Sequence, residues 1–289
     1  MRRLGVVRAF LLSTLAAALI CGSSPASADP IVSLGTASSF AVLAGSTVTN
    51  TGNSIINGDL GVSPGTAITG FGPGPGLLGP GIVNGTQYGG GAVPGTAQSD
   101  LTTAYNSLLG LDGQSAVGSC DGSATDLTGQ DLGGKTLHPG VYCFTSSAQL
   151  TGTLSLDELG QTDPEFVFQI GSTLTTASNS AVTTINGPSP NDDILWQIGS
   201  SATLGTDTAF LGDIVALTSI TLTTGASISC GAALARNGAV TLEDNTISTC
   251  ALDSITPPPA PVPEPSTLMV LGTALFALIG IGWRRSRSA

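Results

Sequence analysis

The chain has 289 residues and a net formal charge of −11, although only 9% of its residues are charged. Six of the eight basic residues lie within the first eight and the last six positions, which leaves only Lys135 and Arg236 between them. Binding to nucleic acid requires many cations that neutralise phosphates, so this composition excludes a nucleic-acid partner.

The residues that usually carry catalysis or bind metals are scarce. His138 is the only histidine, and Leu137-His138-Pro139-Gly140 predicts a surface turn. A zinc site built from several imidazoles therefore cannot form, and a Ser-His-Asp triad would depend on this one residue. We interpret the acidic pairs Asp157-Glu158 and Asp192-Asp193 as solvated loop residues, because adjacent loop acids rarely hold the separation that glycoside hydrolysis needs. We expect no enzymatic activity, no cofactor and no metal site.

The first 28 residues have the pattern of a secretory signal peptide. Three arginines precede the apolar residues 9–21, and Ala26-Ser27-Ala28 supplies the small residues that signal peptidase recognises. We therefore expect the mature protein to begin at Asp29. Lipid attachment at position 21 fits less well, because Ile20 stands where a lipoprotein has a small residue.

The last residues combine a short motif, an apolar segment and a basic end. Val262-Pro263-Glu264-Pro265 closes a proline-rich linker, residues 256–265, and precedes an apolar segment, residues 266–283, and a basic tail, residues 284–289. The apolar segment is just long enough to cross a bilayer, with the arginines on the cytoplasmic side. This pattern resembles the PEP-CTERM sorting signal of Gram-negative bacteria, which implies cleavage near Pro-Glu-Pro by an exosortase. An ordinary single-pass anchor is the alternative; either one implies export to the cell surface or beyond, with at least transient anchoring.

Four cysteines remain in the predicted mature domain, residues 29–255: Cys120, Cys143, Cys230 and Cys250. An even number of cysteines in an exported chain predicts disulfides, and the local pairs Cys120–Cys143 and Cys230–Cys250 would close two short loops. Each would add roughly 3 kcal/mol of stability by restricting the unfolded chain. The sequence leaves the other connectivities open.

The sequence of this domain repeats itself. FVFQIGS, which begins at Phe166, recurs 28 residues later as ILWQIGS, which begins at Ile194. Two further turns align beneath these at Ile214 and Ala233, and each turn contains three short strands separated by Gly, Ser, Asn and Asp. Such self-similarity is typical of a solenoid, in which each repeat buries its apolar side against its neighbours. We predict a mainly β fold, a three-sided β-solenoid.

The second strand of each turn places a threonine after an apolar residue. The four aligned pairs are Leu174-Thr175, Ala202-Thr203, Ile220-Thr221 and Val240-Thr241. Side chains alternate across a strand, so the threonines point outward if the apolar residues point inward. Stacked strands about 4.8 Å apart would align them in a ladder. Thr49 is a weaker candidate for the same ladder, and Glu243 places a charge beside its lower end. Exposed threonine is also simply favourable in strands, so the ladder alone assigns no function.

The N-terminal half predicts the same winding with one interruption. Strands are expected at residues 40–44, 47–50, 58–62 and 65–69. Residues 71–96 are so rich in Gly and Pro that we expect an irregular capping loop. Thr96 is a candidate N-cap for a helix over residues 97–110, in which Leu101, Ala104, Tyr105 and Leu108 form one apolar stripe. We expect this stripe to pack along the side of the solenoid.

A β-solenoid interrupted after its first turns by one long helix resembles the microbial ice-binding protein family, whose solenoid is right-handed and discontinuous. The segments that carry the resemblance are FAVLAG from Phe40, NGDLGVSPG from Asn57, PGVY from Pro139, WQIGS from Trp196 and ARNGAVTL from Ala235. The resemblance covers residues 31–252. It implies that one flat face of the solenoid adsorbs to ice and its ordered water, and thereby inhibits ice growth or recrystallisation. The threonine ladder is the candidate face.

Two other functions compete with ice binding. A structural or adhesive component of an exopolysaccharide matrix would suit the sorting signal, but only 4% of the residues are aromatic, which limits sugar stacking. A polysaccharide-cleaving enzyme would need clustered acids with a basic residue or a metal in a groove, and two basic residues in the whole domain disfavour it.

Overall fold

The computed structural model describes residues 32–72, 79–111, 118–120, 124–187 and 194–250. The predicted signal peptide, linker, apolar segment and basic tail lie outside these ranges. Within them, no helix combines the length and the apolar character that a membrane crossing requires.

The described part of the chain consists of many short strands with a 3-10 helix, η1 (Gly35–Ser39), and an α-helix, α1 (Ala92–Gly110). The strands are β1 (Phe40–Ala44), β2 (Thr47–Thr51), β3 (Ile55–Asn57), β4 (Asp59–Val62), β5 (Ala67–Thr69), β6 (Ile82–Val83), β7 (Gln87–Gly89), β8 (Thr125–Asp126), β9 (Thr136–Leu137), β10 (Gly140–Phe144), β11 (Ala148–Leu150), β12 (Thr153–Asp157), β13 (Phe166–Ile170), β14 (Leu174–Thr176), β15 (Ala181–Ile185), β16 (Ile194–Ile198), β17 (Ala202–Leu204), β18 (Ala209–Leu211), β19 (Asp213–Ala216), β20 (Ile220–Leu222), β21 (Ser227–Ser229), β22 (Ala233–Ala235), β23 (Val240–Glu243) and β24 (Thr246–Ser248).

These strands form three parallel sheets, which are the three sides of a solenoid. Sheet I has the order β7-β4-β1-β22-β19-β16-β13-β10-β8, sheet II the order β11-β14-β17-β20-β23-β2-β5, and sheet III the order β6-β3-β24-β21-β18-β15-β12-β9. Each coil passes through sheets I, II and III in turn, as β13, β14 and β15 do, and the next strand returns to sheet I. Phe166 of β13 pairs with Ile194 of β16, so the sequence repeat corresponds to one coil. The predicted three-sided β-solenoid is confirmed.

The order of the coils in space differs from their order in the chain. The first coil, β1 to β3, lies between the last coil, β22 to β24, and the second coil, β4 to β6. Helix α1 follows β7 at one end of the stack, and the chain then enters β8 at the other end. A helix of 19 residues spans roughly 28 Å, and nine strands at about 4.8 Å spacing span roughly 38 Å. The helix therefore spans most of the distance between the two ends of the stack.

Aromatic rings fill the interior of the solenoid. Tyr142, Phe168 and Trp196 occupy one register position of neighbouring strands in sheet I, with centroid separations of 5.4 Å and 3.8 Å between successive rings. The indole Nε1 of Trp196 donates a hydrogen bond to the carbonyl oxygen of Leu211 at 3.0 Å. Within the described ranges no aromatic side chain is exposed. The aromatic residues therefore serve packing rather than an exposed surface.

Helix α1 packs on the outer side of sheet I. The predicted stripe of Leu101, Ala104, Tyr105 and Leu108 is buried, together with outward residues of sheet I that include Leu43, Val215 and Leu234. Polar groups seal the contact: Gln169 Nε2 donates to the carbonyl oxygen of Leu108 at 2.5 Å, and the Arg236 guanidinium lies 4.6 Å from the centre of the Tyr105 ring. The helix thus removes one of the three faces from solvent.

The prediction for the segment before the helix is wrong in two respects. Residues 71–96 are not an irregular loop throughout, because β6 and β7 lie within them and complete the coil at this end of the stack. The helix also begins at Ala92 rather than at residue 97. Gly91 occupies the N-cap with φ +99°, and the Thr96 hydroxyl donates to the carbonyl oxygen of Ala92 at 3.0 Å instead of capping the helix. Pro94 is compatible with this start, because the first-turn amides have no intrahelical acceptor.

Leu101→Ala should lower the free energy of unfolding by about 2–5 kcal/mol, because the side chain is fully buried between α1 and sheet I. Asn106→Ala, on the exposed side of the same helix, is the control and should change it by less than about 0.5 kcal/mol. Urea denaturation followed by circular dichroism measures both values. Equal stability of the two variants would contradict the docking of the helix.

Candidate functional site

Sheet II brings the five predicted threonines into one column. Thr175 pairs with Thr203, Thr203 with Thr221, Thr221 with Thr241, and Thr241 with Thr49. Thr49 therefore lies directly beside Thr241, although the two residues come from opposite ends of the domain. The column runs without a register shift through these strands.

Two further residues extend this column, and sequence analysis missed both of them. Thr69 of β5 pairs with Thr49 at one end, and Gln149 of β11 pairs with Thr175 at the other. Ile68-Thr69 has the same apolar-threonine pattern as the predicted pairs, so this pattern could have identified Thr69. We call the six threonines, together, the threonine column. Five strand spacings of about 4.8 Å give it a length of roughly 24 Å.

Strand alternation fixes the direction of the threonine column. Leu174, Ala202, Ile220 and Val240, each the residue before a column threonine, are buried in the solenoid core. The threonines that follow them point to the opposite side of the sheet. Those in β2, β5, β14 and β23 are exposed, and the other two are half-buried. Because the residue before each column threonine packs in the core, the strands that carry the threonines are held rigidly.

Small and mostly polar residues flank the threonine column on sheet II. One flank contains Ser147, Thr173, Ser201, Ser219, Ala239, Thr47 and Ala67, and the other contains Thr151, Ala177, Gly205, Thr223, Glu243 and Thr51. Glu243 is the one charged residue among these positions, and it pairs with Thr51. Asp131 lies beyond Gln149, at the end of the stack. Sheet II is therefore a nearly neutral face with one carboxylate at its side and a second at one end.

Hydrogen bonds fix side chains in the first flank, whereas most hydroxyl groups of the threonine column remain available to solvent. The Thr173 hydroxyl donates to Ser147 Oγ at 2.8 Å, and the amide of Ala239 contacts Ser219 Oγ at 3.3 Å. In the column, the Thr69 hydroxyl reaches the carbonyl oxygen of Val48 at 3.5 Å. The other five threonine hydroxyls make no hydrogen bond to another described residue, so they are available to water.

The other two faces of the solenoid lack these properties. Helix α1 covers sheet I. The matching outward column of sheet III mixes residue types, and it contains Thr153, Ala181, Ala209, Ser227, Thr246, Ile55 and Ile82. Two of these, Ile55 and Ile82, are large apolar residues that are 37% and 41% exposed. Side chains of such different sizes make an uneven surface, whereas sheet II repeats one residue type in six neighbouring strands.

Neither basic residue of the domain lies in a strand of sheet II. Arg236 follows β22 of sheet I, stacks on Tyr105 and donates to the Thr102 hydroxyl at 3.2 Å. Lys135 precedes β9 of sheet III, and its Nζ donates to Gln130 Oε1 at 2.8 Å. Arg236 is therefore engaged on the helix side of sheet I, and Lys135 interacts electrostatically with Asp131 at one end of the stack.

The four cysteines form the two local disulfides, Cys120–Cys143 and Cys230–Cys250. The first joins the segment after α1 to β10 on the helix side of sheet I. The second joins the turn between β21 and β22 to the residues that follow β24. Asp126 lies near the first disulfide, but its two sulfurs are already bonded to each other and offer no thiolate to a metal.

The structure corrects the interpretation of Asp157-Glu158 as a solvated loop pair. Asp157 is the last residue of β12; the amide of Leu159 and the Asn186 side chain donate to it, and these bonds, with a smaller contribution from His138, lower its pKa. Glu158 is only 1% exposed and has no hydrogen-bond partner for either carboxylate oxygen. Burial raises its pKa, an effect that the nearby Thr184 side chain partly offsets without forming a hydrogen bond of normal geometry.

This pair does not form an accessible acid/base site. A Cβ atom added at Gly187 would overlap the Glu158 carboxylate, so the backbone covers that group closely. His138 is exposed, and its carbonyl oxygen accepts a hydrogen bond from the Tyr142 hydroxyl at 2.5 Å. Asp192 and Asp193 lie outside the described residues. A substrate could not reach the buried carboxylate without displacing the turn above it.

Residues 42–248 match the family model described as ice-binding-like. The chain is 56% identical over 257 residues to an ice-binding protein from Nostoc sp. (strain HG1), over 88% of this chain and 87% of that protein. The chain belongs to the ice-binding-like family. It is also 33% identical to an ice-binding protein from Flavobacterium frigoris (strain PS1), over 78% of this chain and 79% of that protein.

Solved structures of this family share the fold. An ice-binding protein from an Antarctic biological consortium is 45% identical, with a TM-score of 0.66, over 77% of this chain and 92% of that chain. One from the Antarctic ascomycete Antarctomyces psychrotrophicus is 37% identical, with a TM-score of 0.66, over 75% of this chain and 98% of that chain. The matched region makes up nearly all of each of these two solved chains, so it folds there without further domains. Residues 261–287 match the PEP-CTERM protein-sorting motif, which confirms the predicted sorting signal.

The two acids at the end of β12 should affect stability in opposite directions as pH changes. In the folded state Glu158 has a raised pKa, so above its unfolded pKa of about 4.3 the folded protein holds more protons and loses stability as pH rises. Glu158→Gln should therefore be more stable than wild type at pH 7, and the difference should vanish near pH 4.

Asp157→Asn is the matched control for this prediction. In wild type, the pKa of Asp157 is lower in the folded state than in the unfolded state. The ionised carboxylate therefore stabilises the folded state above the unfolded pKa, and this contribution is lost as pH falls. The variant should therefore be less stable than wild type at pH 7 and approach it in acid. Thermal unfolding between pH 3 and pH 8 measures both trends. A Glu158→Gln variant that is destabilised at pH 7 would show that the buried carboxylate has a compensating partner.

Proposed function

We propose that this protein adsorbs to ice through sheet II, with the threonine column at the centre of the contact. The observation that carries the proposal is the unbroken, in-register line of six threonines on a nearly neutral and uncovered face. Thr49, Thr69, Thr175, Thr203, Thr221 and Thr241 are the residues we assign to it. The family membership and the names of the relatives support the same ligand.

The physical basis is a fixed spacing of methyl and hydroxyl groups. Parallel pairing holds neighbouring threonines about 4.8 Å apart, and the buried residue beside each one prevents the strand from turning. Methyl groups and hydroxyls on such a lattice can hold water in an ordered, ice-like layer without any charge. Bound molecules then pin the crystal, so ice grows between them with a curved and less favourable surface. Glu243 would disturb this water locally, because a carboxylate orders its own hydration shell.

The matrix alternative has less support. Sugar binding by stacking needs exposed aromatic rings, and within the described ranges the aromatic side chains are buried or half-buried. We therefore do not propose an exopolysaccharide partner. We also propose that the protein is not an enzyme, since its buried Glu158 and single exposed histidine form no accessible acid/base pair. The sorting signal supports export, with exosortase processing near Val262-Pro263-Glu264-Pro265 at the cell surface.

Thr203→Tyr and Thr221→Tyr should each abolish most of the inhibition of ice recrystallisation by the domain of residues 29–255. A bulky ring at the centre of the column would hold the rest of sheet II away from the crystal. Thr183→Tyr is the matched control, because Thr183 is an exposed threonine on a strand of sheet III. This variant should retain wild-type activity. Ice-affinity partitioning and recrystallisation assays at equal protein concentration measure the effect.

The opposite pattern would relocate the site. If Thr183→Tyr loses activity while both sheet II variants keep it, sheet III is the contact face. If wild type itself neither partitions into ice nor slows recrystallisation, the ice-binding proposal fails and the matrix function becomes the better hypothesis.

A further inference from the structure

The described chain leaves the solenoid at the edge opposite the threonine column. Each coil runs from sheet I through sheet II to sheet III, and the last strand, β24, belongs to sheet III. Residues after β24 therefore reach the corner between sheets III and I. In a three-sided cross-section, this is the corner that does not touch sheet II.

A disulfide fixes the chain at this corner. Cys250 follows β24 by two residues, and it is bonded to Cys230, which lies between β21 of sheet III and β22 of sheet I. Cys230 thus occupies the same corner one coil away. The sequence beyond Cys250 is the proline-rich linker and the sorting signal. The tail that would attach this protein to a cell therefore starts at the edge farthest from the threonine column.

The disulfide also determines where a pull on the tail would act. β24 has only three residues and pairs with β21 and β3. Without the disulfide, tension would peel away β24 and then β23, which carries Thr241 and joins the first coil to the rest of the stack. With the disulfide, tension passes from Cys250 directly to Cys230. The loop between them, which contains β22, β23 and β24, then bears none of it.

We propose that this protein holds ice while it is attached by its C-terminal tail, and that Cys230–Cys250 transmits the tension of that attachment around the last coil. Its role is then adhesion of the cell surface to ice, rather than action only as a released inhibitor. The inference rests on the proposed ice contact of sheet II. It adds the direction in which the face is presented and the path that the force takes.

The first test attaches residues 29–265 to beads through Pro265 and counts the beads that a growing ice surface retains. These beads should bind ice, because sheet II faces away from the point of attachment. Beads that carry the same domain attached through Thr203→Cys, in the middle of sheet II, should be lost. Beads with Thr221→Tyr attached through Pro265 should be lost as well.

Parallel recrystallisation assays on the free domain separate the possible failures. If the free domain is active but beads attached through Pro265 do not bind ice, the adhesion inference is wrong and the proposed function stands. If the free domain is inactive, both are wrong. If beads attached through Thr203→Cys bind ice as well as the others, the contact face is not sheet II, and the geometric argument fails.

The second test pulls single molecules between handles at Thr203→Cys and Pro265. Removing the disulfide with Cys230→Ser and Cys250→Ser should lower the force of the first unfolding event. The extension of that event should increase by roughly 60–70 Å, the contour length of about 20 residues released from the closed loop. Cys120→Ser with Cys143→Ser, which removes the other disulfide, is the control and should leave this event unchanged.

A variant that folds poorly need not weaken this test. In the Cys120→Ser, Cys143→Ser background, adding a reductant to a molecule already held under low force opens only Cys230–Cys250, and the same change should appear. An unchanged first event after reduction would show that the disulfide does not carry the tension, which overturns the second half of the proposal.

Discussion

The parallel pairing between the first and last coils is the interaction on which the rest of the structure depends. Through β1–β22, β2–β23 and β3–β24, it joins two segments from opposite ends of the domain into one stack. Val48 and Ile56 are completely buried there, each in register with an apolar residue of the last coil. Without this pairing, two open ends with unpaired strands and apolar interiors would face solvent.

Helix α1 connects the two ends of the stack, and its packing determines which faces of the solenoid remain exposed to solvent. Because it leads the chain from one end of the stack to the other, the remaining coils can be built back toward the first. Its apolar stripe needs a partner, and the outward apolar residues of sheet I supply one. Burial of sheet I leaves sheets II and III exposed, and only sheet II repeats one residue type. The same winding places the chain exit at the corner opposite sheet II.

The candidate site differs from a catalytic site in the source of its specificity. No residue of the threonine column titrates near neutral pH, and both basic residues of the domain lie elsewhere. Sheet II presents threonine side chains at a regular spacing, which is fixed by hydrogen bonds between strands and by close packing beneath them. Asp157, the last residue of β12, and Glu158, which follows it, lie at the corner between sheets III and I. They therefore influence stability rather than the contact with ice.

Local patterns in the sequence determined much of this protein. Alternation with period two identified Thr175, Thr203, Thr221 and Thr241 as outward residues, and helical spacing identified the buried stripe of α1. These features depend on neighbours in the chain, so one segment at a time is enough to predict them. The composition similarly excluded a nucleic-acid partner.

The tertiary structure decided everything that depends on distant pairing. It placed Thr49 beside Thr241, added Thr69 and Gln149 to the ends of the column, and placed β6, β7 and the first turn of α1 within the predicted capping loop. It also buried Glu158, which looks like a loop residue in the sequence. The physical reason is the same in each case: the partner that fixes the residue comes from another coil, and the choice of partner follows from the packing of the whole stack.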